Sequence, residues 1–109
     1  MHSQEIQALA QDLVRKLRMS YNPQKVILYG SHAYGRPDET SDLDLLIIKE
    51  TSERFIDRWV TVRKILSDST RTIPLEILVF TPSEISGRLA SGDQFVAEIL
   101  QKGQVLYAA

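Results

Sequence analysis

Cysteine is absent from the 109 residues, and with it go disulfide staples, thiolate zinc sites and cysteine nucleophiles. Long apolar runs are missing too. Stretches such as Leu45 to Ile48 and Ile77 to Phe80 fall far short of the roughly 20 residues needed to cross a bilayer. Met1 to Glu5 has neither the basic start nor the apolar run of a signal peptide, so a cytoplasmic setting with no membrane partner is expected. No sign of charge dominates. Thirteen basic against fourteen acidic residues give a net charge of −1, which does not indicate direct binding of a polyanion. There is no Gly-x-Gly-x-x-Gly, hence no dinucleotide fingerprint. Gly30 and Gly35 have the separation of a P-loop, but Arg36-Pro37 stands where Lys-Ser/Thr is required. Two histidines, His2 and His32, lie far apart in the sequence and make a poor zinc site without cysteine.

What is present has the balance of a soluble globular domain: 43% apolar and 25% charged residues. The length suits one domain over residues 1–109, burying roughly 65% of its unfolded surface around a thin core. The charges are unevenly placed. Residues 1–36 hold five bases (Arg15, Lys16, Arg18, Lys25, Arg36) against two acids, whereas residues 38–57 hold seven acids against two bases. A basic segment feeding an acidic one suits a place where phosphates meet cations, and it equally suits ordinary solvated surface.

The hydrophobic periodicity predicts an α/β (α+β) chain with a small mixed sheet of about four strands flanked by helices. Ile6, Leu9, Ala10, Leu13, Val14 and Leu17 recur at helical spacing, giving a helix over about 4–19 with Ser3 as candidate cap. Lys25 to Tyr29 reads as a buried strand that stops at Gly30, followed by one helical turn over 31–34 and a polar loop from Pro37. Asp42 to Ile48 is the second strand. A helix over about 53–67 follows, with Thr51 or Ser52 as cap and with Phe55, Trp59, Val62 and Leu66 as its core stripe. Ile73 to Phe80 is the third strand. Thr81-Pro82-Ser83-Glu84 combines a cap, a first-turn proline and a glutamate three residues on, which starts a short helix ending near Gly92. Asp93 caps the last helix, Gly103 stops it, and Val105 to Tyr107 can form a final strand.

Two features carry chemistry. A strand ending in Gly30-Ser31 lets a ligand approach the backbone, and the following amides with the Ser31 hydroxyl can grip a phosphate. Asp42-Leu43-Asp44 heads the second strand, and alternation puts both carboxylates on one side. Such a pair repels unless a cation sits between its members. Asp44 interrupts an apolar run, and Glu76 interrupts the third strand in the same way; a charge beside a core is costly. If the two strands are neighbours, Glu76 faces Asp42 and Asp44, and three carboxylates make an oxygen-ligand site suited to Mg²⁺. Taken singly, each acid has a plain alternative: Asp42 a turn residue, Asp44 an edge charge, Glu76 a salt-bridge partner of Arg71 or Lys64.

Gly30-Ser31, ten intervening residues and Asp42-Leu43-Asp44 read as Gly-Ser-x10-Asp-x-Asp. That string resembles the signature of the minimal nucleotidyltransferases (MNT), the small branch of the DNA polymerase β-like superfamily. The resemblance runs from Leu28 to Arg36 and from Ser41 to Ile47, and extends to Glu76 at the family's third carboxylate. One departure is that this third acid is usually aspartate. The resemblance implies the polymerase β-like nucleotidyltransferase fold and an ATP-using, Mg²⁺-dependent transfer of AMP with release of pyrophosphate. It implies that Asp42 and Asp44 hold the metal on the triphosphate, and that Asp44 and Glu76 hold a second. Glu76 is then a candidate for taking the acceptor's proton. Gly30 and Ser31 would hold the β/γ end, with Arg36 either a phosphate clamp or a solvated loop residue, and His32 either a pocket residue or a structural one.

Nothing in 109 residues builds the helical acceptor domain that larger relatives carry, so another protein is expected to bring the acceptor. The resemblance implies a HEPN-domain toxin, neutralised by adenylylation on a tyrosine by an MNT antitoxin. Apolar residues left over on the helices, such as Leu89 and Phe95, are candidates for its docking surface, in a homo- or hetero-oligomer. Two other readings remain open: transfer to a small molecule such as an aminoglycoside, and a non-catalytic nucleotide-binding module acting by contact alone.

Overall fold

The computed structural model describes residues 3–35, 42–69 and 73–109. Helix α1 (Ser3–Ser20) leads into strand β1 (Lys25–Tyr29), then β2 (Leu43–Ile48), helix α2 (Phe55–Leu66) with a single 3₁₀ turn at 67–69, β3 (Leu75–Phe80), α3 (Pro82–Ala90), α4 (Gln94–Lys102) and β4 (Gln104–Ala108). The proposed cap at Ser3 lies outside the described side chains. The four strands form one mixed sheet in the order β3-β2-β1-β4. β1 runs antiparallel to β2 and β4, while β2 and β3 are parallel and are joined through α2, as parallel neighbours require.

The mostly apolar runs of β1 and β2, broken only at Lys25 and Asp44, follow from their central positions, where both faces are covered. Val26 and Leu28 of β1, Leu43, Leu45 and Ile47 of β2, and Leu75, Ile77 and Val79 of β3 pack on one face with Leu13 and Leu17 of α1 and Val62 and Leu66 of α2. Ile27 and Tyr29 of β1, Leu46 of β2 and Phe80 of β3 line the opposite face with Ile85 of α3 and Val96 and Ile99 of α4. Strand alternation places Asp44 and Glu76 on this second face.

The helix starts at residues 81 and 93 form as their side-chain chemistry dictates. Glu84 N–H donates to Thr81 Oγ1 at 3.1 Å while Thr81 N–H donates to Glu84 Oε1 at 2.8 Å, a complete capping box. Val96 N–H donates to Asp93 Oδ1 at 3.0 Å.

Helix α2 departs from expectation twice. Its N-cap is Arg54, with no side-chain cap; the Thr51 hydroxyl accepts from Glu53 N–H in the preceding loop instead. Tertiary contacts set the start, because the Arg58 guanidinium donates to Glu53 O at 2.8 Å and to Glu84 Oε1 at 2.6 Å. The core stripe is also rotated. Its buried residues are Arg58, Val62 and Leu66, so Phe55 and Trp59 lie on the flank, 48% and 42% exposed. Phe55 leans on Phe80 at 5.7 Å between ring centroids, and Trp59 carries the Arg63 guanidinium at 5.3 Å. Among the described residues no helix is long and apolar enough to cross a membrane.

Candidate active site

The sheet register builds the site. Tyr29 of β1 pairs with Asp44 of β2, and Asp44 pairs with Glu76 of β3, so three side chains stand in a row across three strands. Asp42 lies immediately before β2, two residues from Asp44. The sequence inference that Glu76 shares a face with Asp44 therefore holds, because the strands are direct neighbours. Glu76 is exposed, whereas Asp42 and Asp44 are half-buried.

Gly30 follows Tyr29 with φ +76°, in the left-handed region that other residues enter at a cost. A Cβ at this position would lie 2.1 Å from Asp44 Oδ2. Glycine is required twice over: for the turn, and to let the Asp44 carboxylate rest on the backbone. The chain then coils. Ala33 N–H and Tyr34 N–H both donate to Gly30 O, at 3.1 and 3.0 Å, making a turn over 31–35 where the sequence predicts one over 31–34, with Ser31 half-buried within it.

The electrostatics are those of a crowded acid cluster. Burial first, then the charges of Asp42 and Glu76, push the Asp44 carboxyl up to about 6, while His32 on the turn pulls the other way. Burial, Asp44, Glu76 and Tyr34 together push the Tyr29 phenol up to about 12, so it stays protonated. The charge of a carboxylate crowded by two others is relieved by a bound proton or by a bound cation. Among the described residues no group of three or more His, Asp or Glu side chains closes into a ready metal cage. An all-oxygen, open donor set fits Mg²⁺, which usually takes one or two carboxylates and completes its shell with substrate phosphates and water.

Of the residues singled out in the sequence, the structure brings Asp44 against Gly30 and beside Glu76 on the neighbouring strand, while Asp42 precedes Asp44 by two residues and Ser31 opens the turn after Gly30. Arg36 and His2 lie outside the described residues, as does Arg71, the ion-pair partner considered for Glu76. Sequence reasoning missed Tyr29, and it named Phe95 only as a docking candidate and not as the ring that meets Tyr29 edge-on, with centroids 5.7 Å apart. The signal for Tyr29 was its place directly before Gly30, whereas nothing local tied Phe95 to the site.

A family model described as Polymerase beta, Nucleotidyltransferase matches residues 11–109. No curated protein matches the sequence. Among crystal structures, a nucleotidyltransferase candidate from Sulfolobus solfataricus is similar with a TM-score of 0.64 and 18% identity, over 97% of this chain and 83% of that one. A toxin-antitoxin with AMP-PNP is similar with a TM-score of 0.63 and 19% identity, over 92% and 73%. A complex of a tri-AMPylated Shewanella oneidensis HEPN toxin with an MNT antitoxin is similar with a TM-score of 0.57 and 18% identity, over 94% and 73%.

Proposed function

The chain belongs to the Polymerase beta, Nucleotidyltransferase family, and from that premise we propose that it transfers AMP from ATP, with Mg²⁺, to a hydroxyl of a HEPN-domain partner, acting as its antitoxin. One observation carries the catalytic reading: the Asp44 carboxylate is wedged against Gly30 and between the strands bearing Tyr29 and Glu76. No structural need explains an acid in that place, where its ionised form is disfavoured.

In this reading the amides after Gly30 and the Ser31 hydroxyl hold the β- and γ-phosphates, with Arg36 as a further clamp. Asp42 and Asp44 hold the metal ion on the nucleotide, and Asp44 with Glu76 holds a second. Bound there, Mg²⁺ stabilises negative charge on the attacking and leaving oxygens. The acceptor oxygen attacks the α-phosphorus, the bond to pyrophosphate breaks, and Glu76 takes the acceptor's proton. Glu76 suits that role because it is exposed, on the open side of the carboxylate row.

The partner assignment is supported by the likeness to structures described as a toxin-antitoxin with AMP-PNP and as a tri-AMPylated HEPN toxin with its MNT antitoxin. It is also supported by exposed apolar side chains: Phe95, which meets the Tyr29 ring edge-on, is 52% exposed, and Leu89 of α3 is 42% exposed. A partner seated there would present its hydroxyl to a fixed nucleotide, which replaces a bimolecular encounter with a positioned one. The test is the intact mass of a HEPN-domain partner after incubation with this protein, ATP and Mg²⁺. Whole AMP increments are expected with the natural chain and none with Asp44→Asn; modification of small molecules alone, with the partner never labelled, would move the acceptor elsewhere.

A further inference from the structure

Helix α2 is apolar on its outer side as well as its inner one. Its buried row is Arg58, Val62 and Leu66. With 3.6 residues per turn, Val60 stands about 200° from Val62 around the helix, on the side turned away from the sheet. Ile56 lies one turn before Val60, and both are exposed, as are Phe55 and Trp59 beside them. Single apolar side chains on a surface are ordinary, but four within residues 55–60 of one helix make a contiguous patch. A trough of about 370 Å³ continues it, lined by Trp59, Val60, Arg63, Lys64 and Ser67. The patch also has a charge order: Asp57 stands in the first turn of α2, and Arg63 and Lys64 stand in the last. Arg63 is engaged within its own chain, donating to Leu75 O at 3.1 Å and lying over the Trp59 ring. Lys64 is exposed and has no carboxylate partner among the described residues. Asp57 pairs only with Arg54 at the surface, a contact that contributes little.

We propose that the outer side of α2 seats the α2 of a second copy of this chain, antiparallel to it, about a twofold axis at Val60. Charge complementarity selects this occupant. One helix supplies both signs, acid first and base last, which is the order that an antiparallel copy of itself complements and a parallel copy opposes. Opposed helix dipoles favour the same arrangement. Val60 then meets Val60 of the second copy. The Lys64 stem covers Ile56 of the second copy while its ammonium reaches that copy's Asp57, since a lysine stem packs on apolar surface and its head stays with charge and water. The twofold makes this pairing twice. Val62 and Leu66 pack α2 on one sheet face, and Asp44 and Glu76 lie on the other, so a copy seated here leaves the carboxylate row open. The inference rests on this helix alone and is independent of the nucleotidyltransferase reading.

Sedimentation equilibrium of the full chain over a range of concentrations, without nucleotide or any other protein, would decide it. The natural chain should dimerise with a micromolar dissociation constant, as suits a small interface. Val60→Asp should remain monomeric, with a circular dichroism spectrum and urea midpoint close to those of the natural chain, because Val60 is exposed. Lys64→Glu and Asp57→Lys should each weaken the dimer at least about tenfold by setting like charges together. The double variant Asp57→Lys with Lys64→Glu should recover most of the loss, because it restores opposite signs in the antiparallel pair. A natural chain that is monomeric at every concentration would overturn the proposal. So would a Val60→Asp dimer, or a double variant no better than the single ones. A monomeric chain that binds a HEPN-domain protein and loses it with Val60→Asp would give this surface to that protein instead, and would also overturn the proposal.

Discussion

Replacing Asp44 by asparagine should stabilise the fold while abolishing transfer. The carboxyl is pushed from 3.8 up to about 6 by burial and by Asp42 and Glu76. A raised acid pKa means that the folded chain holds a proton that the unfolded chain has released. Stability should therefore fall as pH rises from about 4 to about 6 and stay at its lower level beyond. Two pKa units correspond to about 3 kcal/mol at most. Asp44 is only half-buried, and allowing for solvent screening leaves about 1–2 kcal/mol. Asparagine keeps the shape of the side chain and cannot ionise, so Asp44→Asn should unfold at higher urea than the natural chain at pH 8 and match it more closely at pH 4. Comparing the two pH values cancels any fixed difference in hydrogen bonding between the acid and the amide. Added Mg²⁺ should stabilise the natural chain at pH 8 by linkage and leave the variant unmoved. The same gain at both pH values, or a variant less stable at pH 8, would refute the reasoning that ionised Asp44 destabilises the fold.

Glu76→Asp should retain activity if Glu76 serves only to hold metal, whereas Glu76→Gln should lose most transfer yet keep nucleotide affinity, read by rates and binding side by side. Gly30→Ala combines a left-handed φ with a Cβ 2.1 Å from Asp44 Oδ2; a stability loss of at least about 1–2 kcal/mol by urea denaturation and loss of transfer are expected. Arg58→Ala should cost about 3 kcal/mol, because the buried guanidinium serves Glu53 O, Val79 O and Glu84 Oε1; a loss under about 1 kcal/mol would mean that solvent replaces it.

Much of the site was legible because it breaks local rules. An aspartate and a glutamate inside apolar strand runs, and a glycine ending another, are conflicts that a purely structural sequence would avoid. The pairing of Asp44 with Glu76 was legible only conditionally, since strand adjacency is a tertiary fact. Helix α2 was misread for a related reason. Periodicity over Phe55, Trp59, Val62 and Leu66 gives a stripe but not which edge of it faces the sheet, and Arg58 takes the place at the core. A single arginine on an amphipathic helix looks solvated until Glu84 and two carbonyls are found around it. The caps at Thr81 and Asp93 were read correctly because capping is decided within four residues.

The most direct measurement uses ATP labelled at the α-phosphate, with Mg²⁺ and the protein encoded beside this one. The account predicts label on a hydroxyl of that partner, equimolar pyrophosphate in solution, and neither with Asp44→Asn. Label transferred at the natural rate by the Asp44→Asn chain, or pyrophosphate never released, would contradict it.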